Sequence, residues 1–294
     1  AIVAQAIAPE TRGRAFGFHR AMDTLGAVVG PLLGVALLGW AQRFPWSDET
    51  GPFRVVFWLT LIPGILAVVA FLTLVRDPSH SPNPALRLLT ALRGFSPRFK
   101  RYLGAVGVFG AGDFSHSLLV LAATQILTPS VGVVRAAQVA GALYVWRNVV
   151  QVVTSYPIGI LADRYRPTRV LVVGYAAGVA TAVVAASVFA TGASSILLLI
   201  VLFFVAGLYV ATQEALEASV TADLVSAELL GTAYGALGTV NGAAKFVSSA
   251  GVGLLWTYAS PALGFGTAAL LMAAGTVMLA ATQDRHLGKS ATRK

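Results

Sequence analysis

The amino-acid sequence predicts an all-α, polytopic membrane protein, and two observations support that prediction. Of the 294 residues, 56% are hydrophobic and only 11% are charged, whereas a soluble domain carries about 25% charged residues. Long apolar stretches also recur along the whole chain, and a helix needs about 20 mostly apolar residues to cross a bilayer. A repeat within the sequence narrows the fold class further.

Eight stretches are long and apolar enough to be membrane spans. We predict these spans, numbered 1 to 8, near residues 15–40, 54–75, 102–127, 136–162, 169–192, 195–221, 230–257 and 263–283. Most connections between them are short. The exception lies between spans 2 and 3, where residues 76–101 are rich in proline and basic side chains and are interpreted as a linker between subdomains.

Lysine and arginine are distributed unevenly between the two sides of the predicted spans. Residues 12–20, 76–101 and 164–169, together with the tail after span 8, hold 16 of them, and the loops on the opposite side hold three. Cytoplasmic loops are enriched in Lys and Arg, so both termini are predicted to be cytoplasmic. Basic cytoplasmic loops also explain the formal net charge of +9, so this charge does not indicate that the protein binds nucleic acid.

Two stretches that lie six spans apart are similar in sequence. PETRGRAFGFHRAMDTLGA, at span 1, aligns with AELLGTAYGALGTVNGAAK, at span 7, at a constant offset of 218 residues. The alignment pairs Gly13 with Gly231 and Asp23 with Asn241. Spans 1 and 7 are therefore predicted to be copies that point the same way, an arrangement similar to the parallel six-helix repeats of the major facilitator fold.

That resemblance implies a partial fold. If span 7 is the fifth helix of a complete second half, span 1 is the fifth helix of the first half, and the chain corresponds to spans five to twelve of twelve, without the N-terminal four. The expected domains are the last two helices of the N-terminal bundle (1–76), a cytoplasmic linker (77–100), a complete C-terminal six-helix bundle (101–284) and a basic cytoplasmic tail (285–294).

Ionised residues follow a pattern that agrees with this numbering. They occur within spans 1, 3, 4, 6 and 7, and none occurs in the interior of spans 2, 5 or 8. Because a charge that faces lipid is costly, the three spans without charges are predicted to face lipid. The other five are predicted to line the central cavity.

The segment GILADRYRPTRVL, between spans 4 and 5, resembles the signature loop of the major facilitator superfamily. The matching residues are Gly159, Leu161, Asp163, Arg164 and Leu171. The family's second glycine is replaced by Arg166, and the basic position that follows it by Pro167. The resemblance implies family-like contacts for Asp163; the alternative is an ordinary, positively charged cytoplasmic loop.

The stretch GAVVGPLLG in span 1 is similar to the fifth-helix signature of the superfamily's proton-coupled antiporters. The matching residues are Gly26, Gly30, Pro31 and Gly34. Glycine lets a neighbouring backbone approach closely, and proline bends a helix. The resemblance implies a surface about which two halves rock; the alternative is a packing face of small residues. Further short blocks, such as RGRAFGFHRAMDTLGA, look like the bacterial drug-efflux-like branch, although a fold does not determine a substrate.

Ionised residues inside the spans are the candidates for proton coupling. Asp113 in span 3 and Arg147 in span 4 are predicted to lie near the membrane midplane, where they could form an ion pair. Glu214 and Glu217 share a face of span 6 because they are three residues apart. A carboxylate that exchanges a proton must lie where burial favours its neutral form, and Asp113 and Glu214 meet that requirement best. Contact with lipid headgroups or loop arginines is an equal alternative for Glu217.

Other polar residues in the same spans complete the candidates for the proton path or the substrate cavity. They are Lys245, Asp23, Gln151 and His116. The pair of Asp113 and Arg147 could also be purely structural, and Asp23 could brace the cytoplasmic end of span 1 with Arg20. Four aromatic side chains could line an apolar cavity: Trp146, Phe203, Phe204 and Tyr209.

The chain has no motif that indicates an enzyme or a cofactor. It contains no cysteine, its four histidines are scattered, and HExxH and GxSxG are absent. The resemblance implies a monomeric secondary transporter of the bacterial cytoplasmic membrane, in contact with lipid, that exchanges protons for a small, partly apolar molecule by alternating access. Two alternatives stay open: an uptake carrier or uniporter of the same superfamily, and a membrane receptor or scaffold without transport.

Overall fold

The computed structural model describes residues 2–45, 51–75, 94–193 and 195–284, and within these ranges the chain is helical with no strand. The α-helices of the described ranges are α1 (Ile2–Ala6), α2 (Arg12–Ala41), α3 (Gly51–Leu74), α4 (Pro97–Gly110), α5 (His116–Val131), α6 (Val133–Tyr165), α7 (Pro167–Thr191), α8 (Ile196–Leu224), α9 (Leu230–Tyr258) and α10 (Pro261–Asp284). Every predicted span coincides with one of these helices except span 3, which corresponds to α4 and α5 together.

The prediction of one continuous span over 102–127 is wrong, because the chain leaves the helix between Gly110 and His116. Ser115 begins the second helix as its N-cap and accepts a hydrogen bond from the backbone N–H of Ser117 at 3.3 Å. Gly112 lies against the backbone of α10, where a Cβ atom would collide with the carbonyl of Ala268. Glycine and a capping serine therefore produce the break, which contains Asp113.

Among the described residues, five helices are long and apolar enough to cross a membrane, judged by length and composition alone: α2, α3, α7, α8 and α10. Helices α6 and α9 have 33 and 29 residues, so their length suffices, but both carry more polar side chains. Helices that border a polar interior have this composition, because the side chains facing the interior are shielded from lipid.

Helices α4 to α10 share one hydrophobic core. Its buried residues extend from Phe95 to Leu279 and include none from α2 or α3. Helix α7 packs on α8 and α10, α6 packs on α8, and α4 packs on α10. The predicted domain boundaries stay a prediction; residues 77–93 of the expected linker and the expected tail lie outside the described residues.

Helix α2 runs antiparallel to α6 along the side of this core. The buried positions of its N-terminal half are Gly13, Gly17, Ala21 and Thr24, which recur every three to four residues and so form one face of the helix. Beyond Leu25, most side chains of α2 are exposed. Helix α2 is thus packed against α6 at its N-terminal half and largely unpacked over the rest.

Helices α6 and α7 are separated by one residue in an unusual conformation. Arg166 has φ of 74°, and it is the non-glycine residue with positive φ among the described residues. Glycine adopts this region without steric cost. The backbone therefore gives a physical reason for the glycine that the signature loop has at this position, which here is an arginine under local strain.

Candidate functional site

Asp113 lies in the break between α4 and α5 and is 2% exposed. Its Oδ2 atom is 2.9 Å from the Nζ atom of Lys245, on α9. The same oxygen accepts a hydrogen bond from Nε2 of Gln213, on α8, at 3.1 Å. Because the break frees the side chain from a helical surface, the carboxylate reaches two helices at once.

Glu217 is a second buried carboxylate, one turn after Gln213 on α8, and it is 4% exposed. Its Oε1 atom accepts a hydrogen bond from the hydroxyl of Tyr175, on α7, at 2.6 Å. Its Oε2 atom accepts one from Nδ2 of Asn241, on α9, at 2.5 Å. Of the two alternatives for Glu217, contact with headgroups or loop arginines is therefore not what the structure has, since its carboxylate faces the bundle interior.

These residues form one group, which we name the interior cluster: Asp113, Gln213, Glu217, Asn241 and Lys245. Helix α8 supplies Gln213 and Glu217, and α9 supplies Asn241 and Lys245. Each pair is four residues apart, so both members lie on one face of their helix. The cluster joins two acids to one lysine through two amide side chains.

The predicted ion pair between Asp113 and Arg147 is wrong. Asp113 pairs with Lys245, whereas Nη1 of Arg147 donates to Oδ1 of Asn148 at 2.6 Å. The guanidinium also lies over the ring of Tyr144, 5.6 Å from its centroid. The prediction assumed an unbroken helix, and the break at Asp113 changes the direction in which that side chain points.

A second group, the interface cluster, joins α2 to the bundle: Arg20, Asp23, Gln151 and Glu214. Arg20 donates to Oε2 of Glu214, and the same oxygen accepts from Nε2 of Gln151 at 2.6 Å. Arg20 also pairs with Asp23 at 2.7 Å, the contact that the alternative role of Asp23 requires. The carboxylate of Glu214 is 23% exposed, so this cluster is less shielded than the interior one.

Asp163 of the signature loop binds the first turn of α2. Its Oδ1 atom accepts from the backbone N–H of Gly13 at 2.7 Å, and its Oδ2 atom accepts from the backbone N–H and the Nε atom of Arg14 at 3.2 and 2.9 Å. The N-terminus of a helix attracts negative charge because its N–H groups lack helical partners. Gly13 and Gly159 make this approach possible, since a Cβ on either would collide with the other helix.

The other signature-loop residues have ordinary environments. Leu171 is fully buried and Leu161 is exposed, while the guanidinium of Arg164 lies over the ring of Tyr165.

The glycines of the GAVVGPLLG stretch differ from Gly13 in their surroundings. A Cβ atom at Gly26, Gly30 or Gly34 would meet nothing within 4 Å among the described residues. Pro31 lies within α2, and its side chain is outside the described part.

The remaining candidates do not lie in one place. His116 and Tyr209 line a small cavity beside Asp113. Trp146 stacks with Phe204 at a centroid distance of 6.3 Å, and Phe203 is buried in the core. These aromatic residues therefore do not form one common surface.

The comparison with known families identifies the fold described above. The profile of the Major Facilitator Superfamily matches residues 1–135 and 102–293. The chain belongs to this superfamily. It is 28% identical over 257 residues to an uncharacterized MFS-type transporter of Methanocaldococcus jannaschii, a match that covers 87% of the chain and 60% of that relative.

Two solved structures have a similar fold. A bacterial homologue of the iron transporter ferroportin, in an outward-facing state, matches with a TM-score of 0.70 and 14% identity over 96% of this chain and 66% of that one. The human organic anion transporter MFSD10 matches with a TM-score of 0.58 and 18% identity over 95% and 66%. The superfamily chain thus spans about two thirds of the length of these proteins.

Sequence reasoning missed the hydrogen-bonding partners of Glu217, although a signal was present. Gln213 and Glu217 are four residues apart on one helix, and Asn241 and Lys245 repeat that spacing on the next. Paired polar positions at helical spacing in two otherwise apolar spans indicate facing polar surfaces. The contribution of Tyr175 carries no such signal, because it comes from α7, where it is surrounded by apolar residues.

Proposed function

We propose that the full-length protein is a proton-driven exporter that moves a small, partly apolar molecule by alternating access. The observation that supports this most is the carboxylate of Asp113, which is buried and paired with Lys245 at 2.9 Å. A buried acid that is neutralised by one flexible cation binds a proton when the cation withdraws, and releases it when the cation returns. An antiporter needs this kind of exchange.

The arrangement of α2 supports a cycle between two conformations. Its N-terminal half is closed on α6 through Gly13, Gly17 and Asp163, while a Cβ at Gly26, Gly30 or Gly34 would meet nothing within 4 Å in the described part of the chain. With the predicted orientation, this corresponds to a form closed to the cytoplasm and open to the outside. In the opposite form, α2 would leave α6 at Gly17 and pack closely at Gly30.

Arg147 favours a substrate that carries a negative charge. The residue is 4% exposed, and its Nε atom has no hydrogen-bond partner. Within the described ranges no carboxylate lies within 4 Å of it; Asp113 and Glu214 pair with other cations. Because a buried charge without a counter-ion is costly, an anionic group on the substrate would complete this site.

Transport in liposomes tests the proposal. The full-length protein would be reconstituted with the pH dye pyranine inside, and a panel of aromatic carboxylates would be added under an imposed pH gradient, with tetraphenylphosphonium as the cationic comparison. We expect a carboxylate to move against its own gradient while protons move the opposite way. Arg147→Gln should weaken its binding, and the exposed Glu228→Gln should serve as the matched control.

The other outcomes separate the alternatives. Movement of substrate and protons in the same direction would identify an uptake carrier, and movement that ignores the pH gradient would identify a uniporter and contradict proton coupling. If tetraphenylphosphonium is carried and the carboxylates are not, the assignment of Arg147 to an anionic substrate is wrong.

A further inference from the structure

The interior cluster contains two acids and one cation. Lys245 pairs with Asp113, whereas the groups that bind the Glu217 carboxylate within the described residues are neutral: Tyr175 and Asn241, with Gln213 beside them. From α4, the hydroxyl of Tyr102 donates to the backbone carbonyl of Glu217 at 2.9 Å. Two ionised acids would therefore leave one negative charge without a cation.

Such a charge is expensive in the interior of a membrane bundle. A buried acid without a counter-ion takes up a proton instead of remaining ionised. Asp113 has Lys245 within ion-pair distance and can stay ionised. On α2, Arg20 is bound to Glu214 and Asp23 and Arg12 to Asp223, so neither of these cations is paired with Glu217.

The hydrogen bonds around Glu217 can accommodate a proton. A protonated carboxyl needs an acceptor for its O–H, and the buried Oδ1 atom of Asn241 has no hydrogen-bond partner. A half-turn of the Asn241 amide exchanges its NH₂ group and its carbonyl oxygen beside Oε2 of Glu217. Tyr175 continues to donate to Oε1, so the same side chains hold the ionised and the protonated acid.

We propose that Glu217 is a proton-binding site, and that it shares Lys245 with Asp113. Lys245 follows Asn241 by one turn on α9, so its flexible side chain lies on the face that points to both acids. When the ammonium moves to Glu217, that acid releases its proton, and Asp113, without its cation, takes one up. This inference rests on the proposed function in one respect: the proton held at Glu217 is the one that the proposed exporter couples to transport.

Infrared difference spectroscopy of the purified full-length protein tests this site without a substrate. A protonated carboxyl has a C=O stretch that an ionised one lacks, and the band shifts when H₂O is replaced by D₂O. At neutral pH we expect this band in the unmodified protein and its loss in Glu217→Gln. Glu228→Gln, on the surface, should leave it unchanged.

Two further variants use the shared lysine. Lys245→Met leaves both acids without a cation, so the band should increase about two-fold. Asp113→Asn frees the lysine for Glu217, so the band should disappear although Glu217 is intact. If Glu217→Gln fails to fold, the Lys245→Met result decides alone: an unchanged band overturns the proposal.

The outcome is independent of the transport result. A band that persists in Glu217→Gln, or no band in the unmodified protein, overturns the proton site even if transport is proton-driven. A band that behaves as expected in a protein that ignores the pH gradient supports the site and contradicts the proposed exporter.

Discussion

The interior cluster and the interface cluster both pair acids with cations, but they join different helices. In the interior cluster, Glu217, Lys245 and the break that contains Asp113 belong to the part of the chain that shares one core. In the interface cluster, Arg20 of α2 binds Glu214 of α8 across the edge of that core. If α2 moves relative to α6, the second pair must separate while the first can stay together. The interior cluster is thus placed to hold a proton, and the interface cluster to stabilise one conformation.

Removing the carboxylate of Asp113 from the interior cluster should have the largest effect. Asp113→Asn keeps the size of the side chain and removes the acid that Lys245 contacts, so the lysine turns to Glu217 and uphill transport should be lost while substrate binding persists. Leaving a buried partner unpaired costs about 3–5 kcal/mol; because the side chain of Lys245 is 38% exposed and can pair with Glu217 instead, we expect about 1–3 kcal/mol here. Transport under a pH gradient and a thermal melt measure the two effects.

At the interface, Gly17→Leu should open the closed end of α2. A Cβ at Gly17 would collide with the backbone carbonyl of Ser155, and overpacking of this kind costs about 1–3 kcal/mol. The 294 residues contain no cysteine, so spin labels can be attached at introduced cysteines, at the exposed Glu10 and Tyr165. The distance between the labels should increase; an unchanged distance would show that the contact does not hold this end closed.

Gly30→Leu should act at the other end of α2, and it should obstruct the opposite conformation rather than open the closed end. Its side chain would enter open space, so the label distance and the thermal stability should stay unchanged. Transport should fall several-fold, because the added side chain obstructs the conformation in which this surface closes. Transport at the unmodified rate would show that the glycine surface never packs closely.

Arg20→Gln should have the smallest effect of these changes. Glutamine can still donate to Glu214 but removes the charge, and a partly exposed ion pair contributes about 1 kcal/mol. The ratio of closed to open molecules should fall about five-fold, which the same pair of labels measures. Arg135→Gln, at an exposed arginine outside both clusters, is the matched control and should change nothing.

Much of the fold follows from apolar segments and from one repeat. In a membrane, the backbone N–H and C=O groups of an apolar stretch of about 20 residues find hydrogen-bond partners within the stretch only if it is a helix. The positions of the helices are therefore strongly constrained. The break at Asp113 was missed because the apolar pattern continues across it, although Gly112 and Ser115 are local signals for a helix end and a new N-cap.

The partners within the site were harder to predict than its members. Asp113, Glu214, Lys245 and Gln151 were all candidates from sequence, and the structure places each in one of the two clusters. Which acid meets which cation depends on the side of each helix that faces a neighbour. Tertiary packing decides this: the cation beside Asp113 is Lys245, whereas the sequence favoured Arg147.

The most direct test of proton coupling is uphill transport by the double variant Asp113→Asn with Lys245→Met, reconstituted in liposomes under a pH gradient. Removing both charges leaves neither group buried without its partner, so the thermal stability should recover to near that of the unmodified protein. If Asp113 takes part in proton exchange, uphill transport should remain lost despite this recovery. Full proton-driven transport by the stable double variant would contradict the account.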